Sequence, residues 1–362
     1  MSRTKKKIIV LYGGRSAEHE ISVISAFNVL QNIDYRYYEV QLVFISKDGY
    51  WVRGPILQNK PQYETDLKLS YATSREDYHQ DYSGQIISPS DIYEDKAVVF
   101  PVLHGPNGED GTIQGFLETL QMAYVGCGVL ASAAGMDKII TKQLLQSAGI
   151  PQVPYVSVVK FNWKHSPLTV FEKCETALTY PVFVKPANMG SSVGISKAGS
   201  RMELQKALED AFKYDTRVLV EQAVEAREIE VAIIGNDDVR TTLPGEIVKD
   251  VAFYDYNSKY IDNKITMAIP AELDAQIMQQ ARKYAKKAFE LIDGAGLARC
   301  DFFLTKDNEL YLNELNTMPG FTQYSMYPLL WKNMGLEYGD LVEVLLYLAE
   351  KRFETRQQLF KK

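Results

Sequence analysis

The chain opens on KIIVLY (7–12), a β-rich apolar run that stops at Gly13-Gly14 and passes into ISVISAFNVLQNI, where apolar residues recur at helical spacing. Strand, glycine turn and helix in that order constrain the fold more than any other feature, because they begin an open α/β sheet. Further strands fall at 39–46 and at AVVFPVLH (97–104), with a less regular, tyrosine-rich insertion between about 50 and 95. Helical pattern returns at DGTIQGFLETLQ, so residues 1–124 are expected to form one βαβ-type domain. A second, smaller α+β domain is expected over 125–222. It runs from the helical VLASAAGMDKIITKQLLQSAGI through Pro-punctuated strands near 151–160 to YPVFVKPANMGSSVGISKA, two strands that flank a loop, then a short helix near 202–214 and the strand RVLVEQAV. The third region, 223–362, carries the strand IEVAIIG, a long loop at 243–265, an amphipathic helix, two strands and a terminal helix.

Composition sets the outer limits. With 362 residues, 46% hydrophobic and 24% charged, the chain has room for two or three domains with cores of their own. A formal charge of −6 leaves no global basic field for a nucleic-acid backbone or an anionic membrane surface, so neither is an expected partner. Cys127, Cys174 and Cys300 are scattered and odd in number, which fits a reducing compartment. The apolar run near the start is too short for a signal-peptide core, and no window approaches the roughly 18–20 apolar residues of a membrane span. A cytoplasmic protein is expected.

The strongest chemical signal lies in LARCDFFL (297–304) and ELYLNELN (309–316). Side chains alternate along a strand, so Arg299 and Asp301 share one face, as do Glu314 and Asn316. A two-residue turn at Asp307-Asn308 would set Asp301 opposite Glu314 and Arg299 opposite Asn316. Carboxylates facing each other across a ladder repel unless a cation or proton lies between them. Asp, Glu and Asn oxygens are the hard donors Mg²⁺ prefers, usually shared with substrate phosphates; a surface hairpin paired to Arg299 is the plainer alternative. The second signal is Lys185 ending a strand ahead of Gly190, Ser191, Ser192 and Gly194, a loop able to close over a polyphosphate. It is not a Walker A loop, since the lysine precedes the glycines and no helix follows. The first turn lacks G-x-G-x-x-G, which argues against a nicotinamide cofactor. Glu18 reads equally as a partner for a helix N-terminus, His104 as a structural histidine, Lys138 as a solvated side chain, and FYDYNSKY (253–260) as a lid or as core.

Together, GGRSAEHEIS, LHGPNGEDGTIQG, MDK, VKPANMGSSVG, FYDYNSKY, ARCDFF and NELNTMPGFTQYSMYP resemble, in order and context, the D-alanine:D-alanine ligases of the ATP-grasp superfamily. The resemblance covers essentially the whole chain. It implies a mixed α/β and α+β, three-domain ATP-grasp fold with an N-terminal open α/β domain, and ATP held between the central and C-terminal domains. It also implies ATP-dependent formation of D-alanyl-D-alanine through an acyl phosphate, for peptidoglycan precursors.

By the same resemblance, Lys138, Lys185 and Ser192 contact the ATP phosphates, while Glu221, Val224 and Glu228 meet the adenine and ribose. Asp301, Glu314 and Asn316 hold two Mg²⁺ or Mn²⁺ ions. Glu18 takes the ammonium of the first D-alanine, and Ser191 and Tyr260 complete a hydrogen-bonded set with it. Arg299 and the Gly320 amide form the oxyanion site, Ser325 and the Met326 backbone take the second carboxylate, and His104 and Lys259 lie near the substrates. Met189 stands where some relatives carry an acidic residue. A homodimer is the family-level expectation. Two rival products remain: D-alanyl-D-lactate, whose ligases commonly carry Phe where this chain has Tyr260, and that of another ATP-grasp carboxylate–amine ligase. A non-catalytic nucleotide-binding relative would be free to lose Lys138, Lys185, Arg299, Asp301, Glu314 or Asn316, all present here.

Overall fold

In the computed structural model, residues 5–73, 81–248 and 266–359 are described. The opening run becomes β1 (Lys6–Gly13), whose residues Ile8–Tyr12 are at most 1% exposed because the strand lies at the middle of a sheet. It pairs in parallel with β2 (Tyr38–Ile45) and β5 (Val98–Val102), and β5 pairs in parallel with β6 (Ala123–Tyr124). The helix α1 (His19–Asn32) follows the glycine turn, and α2 (Thr112–Thr119) links β5 to β6. The insertion is more regular than the sequence suggests. Two of its segments, β3 (Trp51–Leu57) and β4 (Gln85–Ile87), extend the sheet antiparallel in the order β4-β3-β2-β1-β5-β6. Gly54-Pro55 interrupts β3 and β4 has only three residues, so neither carries a readable strand period.

A second sheet is wholly antiparallel, in the order β7-β10-β8-β9, from β7 (Tyr155–Val159), β8 (Val182–Pro186), β9 (Ser196–Ala198) and β10 (Arg217–Gln222). Val156, Phe171, Leu204, Leu208 and Val220 form its core with α6 (Pro167–Ala177) and α7 (Arg201–Ala211). The short α5 (Lys160–His165) and α6 were not expected from sequence; Pro167 at the first turn of α6 is the start signal that stood there.

The third sheet runs β14-β13-β11-β15-β16, with β12 (Arg240–Thr241) added to β11. Its strands are β11 (Ala226–Gly235), β13 (Gly245–Val248), β14 (Thr266–Ala268), β15 (Gly296–Thr305) and β16 (Leu310–Asn316). The expected long loop at 243–265 therefore begins with a strand, and its remainder lies outside the described residues. Among the described residues, α3 (Val129–Met136), α4 (Lys138–Ser147) and α8 (Ala275–Leu291) cover one face of this sheet, sharing a core that joins Ala131, Ala134 and Leu145 to Phe289 and Leu312. The chain ends with α9 (Met326–Asn333) and α10 (Tyr338–Leu359), which return to the first sheet in a core of Val10, Phe100, Phe321 and Leu345.

One register detail sets the geometry of the site. The β15–β16 connection is not a two-residue turn: Thr305 N–H donates to Glu309 O at 3.0 Å, so Lys306, Asp307 and Asn308 form the loop, with Asn308 left-handed at φ +62°. Phe302, Phe303 and Leu304 consequently face Leu312, Tyr311 and Leu310, one residue off the expected pairing. A bulge that leaves Asn313 unmatched then restores it, and Asp301 faces Glu314 while Arg299 faces Asn316, as expected.

Candidate active site

The ladder pairs Glu230 of β11 with Asp301 of β15 and Asp301 with Glu314 of β16, which puts three carboxylates in a row across adjacent strands. Such a row needs cations. Arg299, two residues along the same face, supplies one: its Nε and Nη2 donate to Asp301 at 2.7 Å each, and Nε lies 2.8 Å from Glu230. Asn316 Nδ2 donates to Asp301 Oδ2 at 2.9 Å. Burial works against the guanidinium charge, but Asp301 and Glu230 together hold its pKa well above the ordinary arginine value. The donors of Asp301, Glu314 and Asn316 are oxygens of the hard kind that Mg²⁺ or Mn²⁺ takes, so the residues fit such an ion. Among the described residues there is no group of three or more His, Cys, Asp or Glu placed to hold a metal ion.

Across the cleft stand the lysines. Asp137 caps α4, accepting from the Ile139 and Ile140 amides at 3.0 Å each and from Arg217, and this fixes Lys138 in the first turn. Lys138 Nζ donates to the Met189 carbonyl at 2.6 Å and lies 3.9 Å from Glu314. The loop contact at Met189 is therefore made by backbone, and the side chain at that position does not enter it. Lys185, at the end of β8, donates to Glu221 Oε2 at 2.5 Å and approaches Asn313 Oδ1 at 3.5 Å, so the bulge residue of the third sheet meets the second sheet's lysine. Glu221 is also within 2.6 Å of Lys142. Burial would raise the Glu221 pKa, but Lys185 and Lys142 outweigh it and bring it down to about 2. For Lys185, burial works downward and Glu221 outweighs it, leaving the ammonium raised.

The serine-glycine loop reaches the turn that follows β1. Ser191 Oγ donates to Glu18 Oε1. Two glycines admit that carboxylate: a Cβ on Gly105 would lie 2.8 Å, and one on Gly190 3.0 Å, from Glu18 Oε2. Ser191 and Ser192 hold positive φ of +46° and +62°. His104, 4% exposed, contacts Ser25 Oγ through Nε2 at 3.1 Å, and its Nδ1 is 3.3 Å from the Met318 carbonyl and 3.6 Å from Glu109. Burial disfavours its charged form, yet Glu109, Glu18 and the Met318 carbonyl together raise its pKa. Glu18, Ser191 and His104 are thus gathered at the carboxyl end of the first sheet. A cavity of about 50 Å³ between the loop and the third sheet is lined by Glu109, Lys138, Ser191, Glu314, Asn316 and their neighbours.

The remaining expected residues ring this centre. Ser325 sits at the N-terminus of α9, its Oγ accepting from the Thr322 amide at 3.0 Å; a Cβ on Gly320 would approach that Oγ at 3.0 Å, and Met326 is buried in the first helical turn. Glu228 faces the same side of β11 as Glu230, and Val224 lies between β10 and β11. Lys259 and Tyr260 fall outside the described residues. Sequence reasoning passed over Glu109, Lys142, Glu230 and Asn313. Glu109 lay in the LHGPNGEDG motif and Lys142 one helical turn after Lys138, so both had a signal in position; Glu230 and Asn313 depended on register.

Lys138, Lys185, the carboxylate row of the third sheet and the serine-glycine loop thus meet at one cleft, in a mixed α/β architecture consistent with the ATP-grasp fold. The N-terminal and C-terminal family models of the D-Ala D-Ala ligases match residues 7–127 and 144–347, and the chain belongs to that family. It is 67% identical over 348 residues to a D-alanine–D-alanine ligase of Enterococcus faecalis, covering 96% of this chain and 100% of the relative. It is 56% identical to the Streptococcus gordonii D-alanine–D-alanine ligase, covering 98% of each chain. Among solved structures, the D-alanine-D-alanine ligase of Coxiella burnetii superimposes with a TM-score of 0.80 at 32% identity, covering 99% of this chain and 97% of that one. A D-Ala:D-Ser ligase of Enterococcus faecalis gives 0.78 at 32% identity, covering 96% and 100%.

Proposed function

We propose that the chain ligates two D-alanine molecules to D-alanyl-D-alanine at the expense of ATP, releasing ADP and phosphate. One observation carries most of this: the Ser191 contact to Glu18 joins a polyphosphate-type loop to a carboxylate suited to an amino acid's ammonium. Nucleotide and amino-acid sites then meet at a single cleft. The identity to D-alanine–D-alanine ligases supports the substrate.

A carboxylate is a poor acyl donor. Transfer of the γ-phosphoryl group to the first D-alanine makes an acyl phosphate, whose carbonyl the neutral amine of the second D-alanine attacks, expelling phosphate. Both steps place negative charge on oxygens, so catalysis rests on positioning and fixed positive charge. Lys138 and Lys185 hold the polyphosphate, and Ser192 lends a donor from the loop. Glu18 fixes the first ammonium, Ser325 and the Met326 amide the second carboxylate, and Arg299 with the Gly320 amide stabilises the tetrahedral oxyanion. Asp301, Glu314 and Asn316 would hold Mg²⁺ or Mn²⁺, which supplies charge neutralisation on the phosphates when bound. Loop closure excludes water, which would otherwise hydrolyse the acyl phosphate. Glu221, Val224 and Glu228 form the nucleoside end, and Lys259 and Tyr260 belong to the lid.

The same proposal takes 1–124, 125–222 and 223–362 as the three domains, with the protein working as a cytoplasmic homodimer. Among the described residues, no helix is long and apolar enough to cross a membrane. The test is ADP release with D-alanine, L-alanine, D-lactate or D-serine as second substrate beside D-alanine. D-Alanine is expected to dominate at neutral pH; D-lactate or D-serine outcompeting it would overturn the assignment.

A further inference from the structure

Behind the phosphate-facing lysine lies a second one that the reaction scheme leaves unused. Lys142 is 2% exposed, one turn after Lys138 on α4, and its Nζ sits 2.6 Å from Glu221 Oε1 and 5.3 Å from the centre of the Tyr155 ring. Glu221 is equally buried, and its other oxygen takes Lys185 at 2.5 Å. One buried carboxylate thus bridges two ammonium groups, one turned to the interior and one at the cleft. A purely structural pair would need a single lysine, since burying a surplus charge is costly.

We infer that Lys142 is a positioning residue for Lys185, acting through Glu221. It neutralises and orients the carboxylate from the interior, so that Glu221 fixes the Lys185 ammonium without cancelling its charge toward a polyphosphate. The burial directions fit this division. Burial is the largest influence on Lys142 and lowers its pKa, against the pull of Glu221, while Lys185 is raised. Take Lys142 away and Glu221 has Lys185 alone: the cluster falls from one net positive charge to none. Because a charge a few ångströms from a phosphate in a partly dry site is weakly screened, nucleotide affinity should then drop roughly tenfold or more.

The inference rests on Lys185 being a phosphate contact, and the experiment separates the two. The magnesium complex of a non-hydrolysable ATP analogue, adenylyl imidodiphosphate, is titrated calorimetrically into wild type, Lys185→Met, Lys142→Met and Lys142→Arg. Lys142→Met should weaken binding about tenfold or more with the KM for D-alanine unchanged, and Lys142→Arg, which keeps the interior charge, should stay within about threefold of wild type. A merely structural Lys142 predicts no such dependence on charge. Should Lys142→Met fail to fold, Lys142→Gln keeps a donor to Glu221 without the charge and carries the same comparison. Normal affinity in Lys142→Met beside a weakened Lys185→Met overturns the inference, as does Lys142→Arg binding no better than Lys142→Met. Unchanged binding in Lys185→Met would instead remove the phosphate role of Lys185, and the inference with it.

Discussion

Arg299→Met is the sharpest probe of the carboxylate row. The guanidinium makes two hydrogen bonds of 2.7 Å to Asp301 and an ion-pair contact of 2.8 Å to Glu230, and these three side chains are 17%, 14% and 6% exposed. Hydrogen bonds to charged groups contribute about 1.5–3 kcal/mol each, so the two to Asp301 set a scale of roughly 3–6 kcal/mol before repulsion is counted. Methionine keeps the apolar stem and removes the charge, leaving Glu230, Asp301 and Glu314 side by side. Asn316 still donates to Asp301 at 2.9 Å, and Lys138 still lies 3.9 Å from Glu314. Breaking one side of a buried pair costs about 3–5 kcal/mol, which is the expected loss, and at roughly 2–4 °C per kcal/mol it lowers the melting temperature by about 6–20 °C. Melting curves followed by tryptophan fluorescence at neutral pH, with and without MgCl₂, read both the loss and its repair. Magnesium should stabilise the variant more than wild type, since the row regains a cation. A fall below about 2 °C, or equal responses to magnesium, would refute the reasoning.

Three further outcomes follow from the geometry. Glu314→Ala should nearly abolish turnover and weaken Mn²⁺ binding, followed by the ion's paramagnetic resonance, while leaving the fold intact, because it thins the carboxylate row; near-normal activity would contradict the metal assignment. Ser191→Ala removes the loop's hydrogen bond to Glu18 and should lower kcat/KM for D-alanine by roughly tenfold, a loss of about 1.5 kcal/mol, with a smaller change in the KM for ATP; equal changes in both would sink the latch. The pKa of His104 is raised in the folded state, so its contribution to stability is complete below the unfolded value near 6.5 and is lost as pH rises through the higher folded value. Urea titrations of wild type and His104→Gln should therefore differ more at pH 6 than at pH 9, and a gap that widens with pH would reverse the assignment.

Much of this architecture is legible in residues 1–124 and 297–316, where strand runs are long and the polar residues fall on one face. The hairpin shows why pattern alone is fragile. The expected pairing assumed a two-residue turn, the chain uses three residues with a left-handed Asn308, and the bulge at Asn313 cancels the difference. The carboxylate row needed β11 as well: Glu230 reads as one charge in a strand until the ladder sets it against Asp301. Glu221 is a second case. The family resemblance assigns it to the nucleoside, while only the packing of α4 against the second sheet brings Lys142 to it. Helix α5 and the strands of the insertion were missed because they are short or interrupted by Gly and Pro, and tertiary packing rather than local period holds them, whereas the eleven-residue α6 was missed although Pro167 marked its start.

The most direct test of ATP-driven carboxylate activation is oxygen transfer. D-Alanine labelled with ¹⁸O in both carboxylate oxygens is incubated with the protein, ATP and MgCl₂, and the released phosphate is read by ³¹P resonance for the isotope shift. An acyl phosphate requires that each D-alanyl-D-alanine formed leave one ¹⁸O in phosphate, with D-alanine supporting release and L-alanine not. Phosphate released without the label, or with equal yield from L-alanine, would contradict the account.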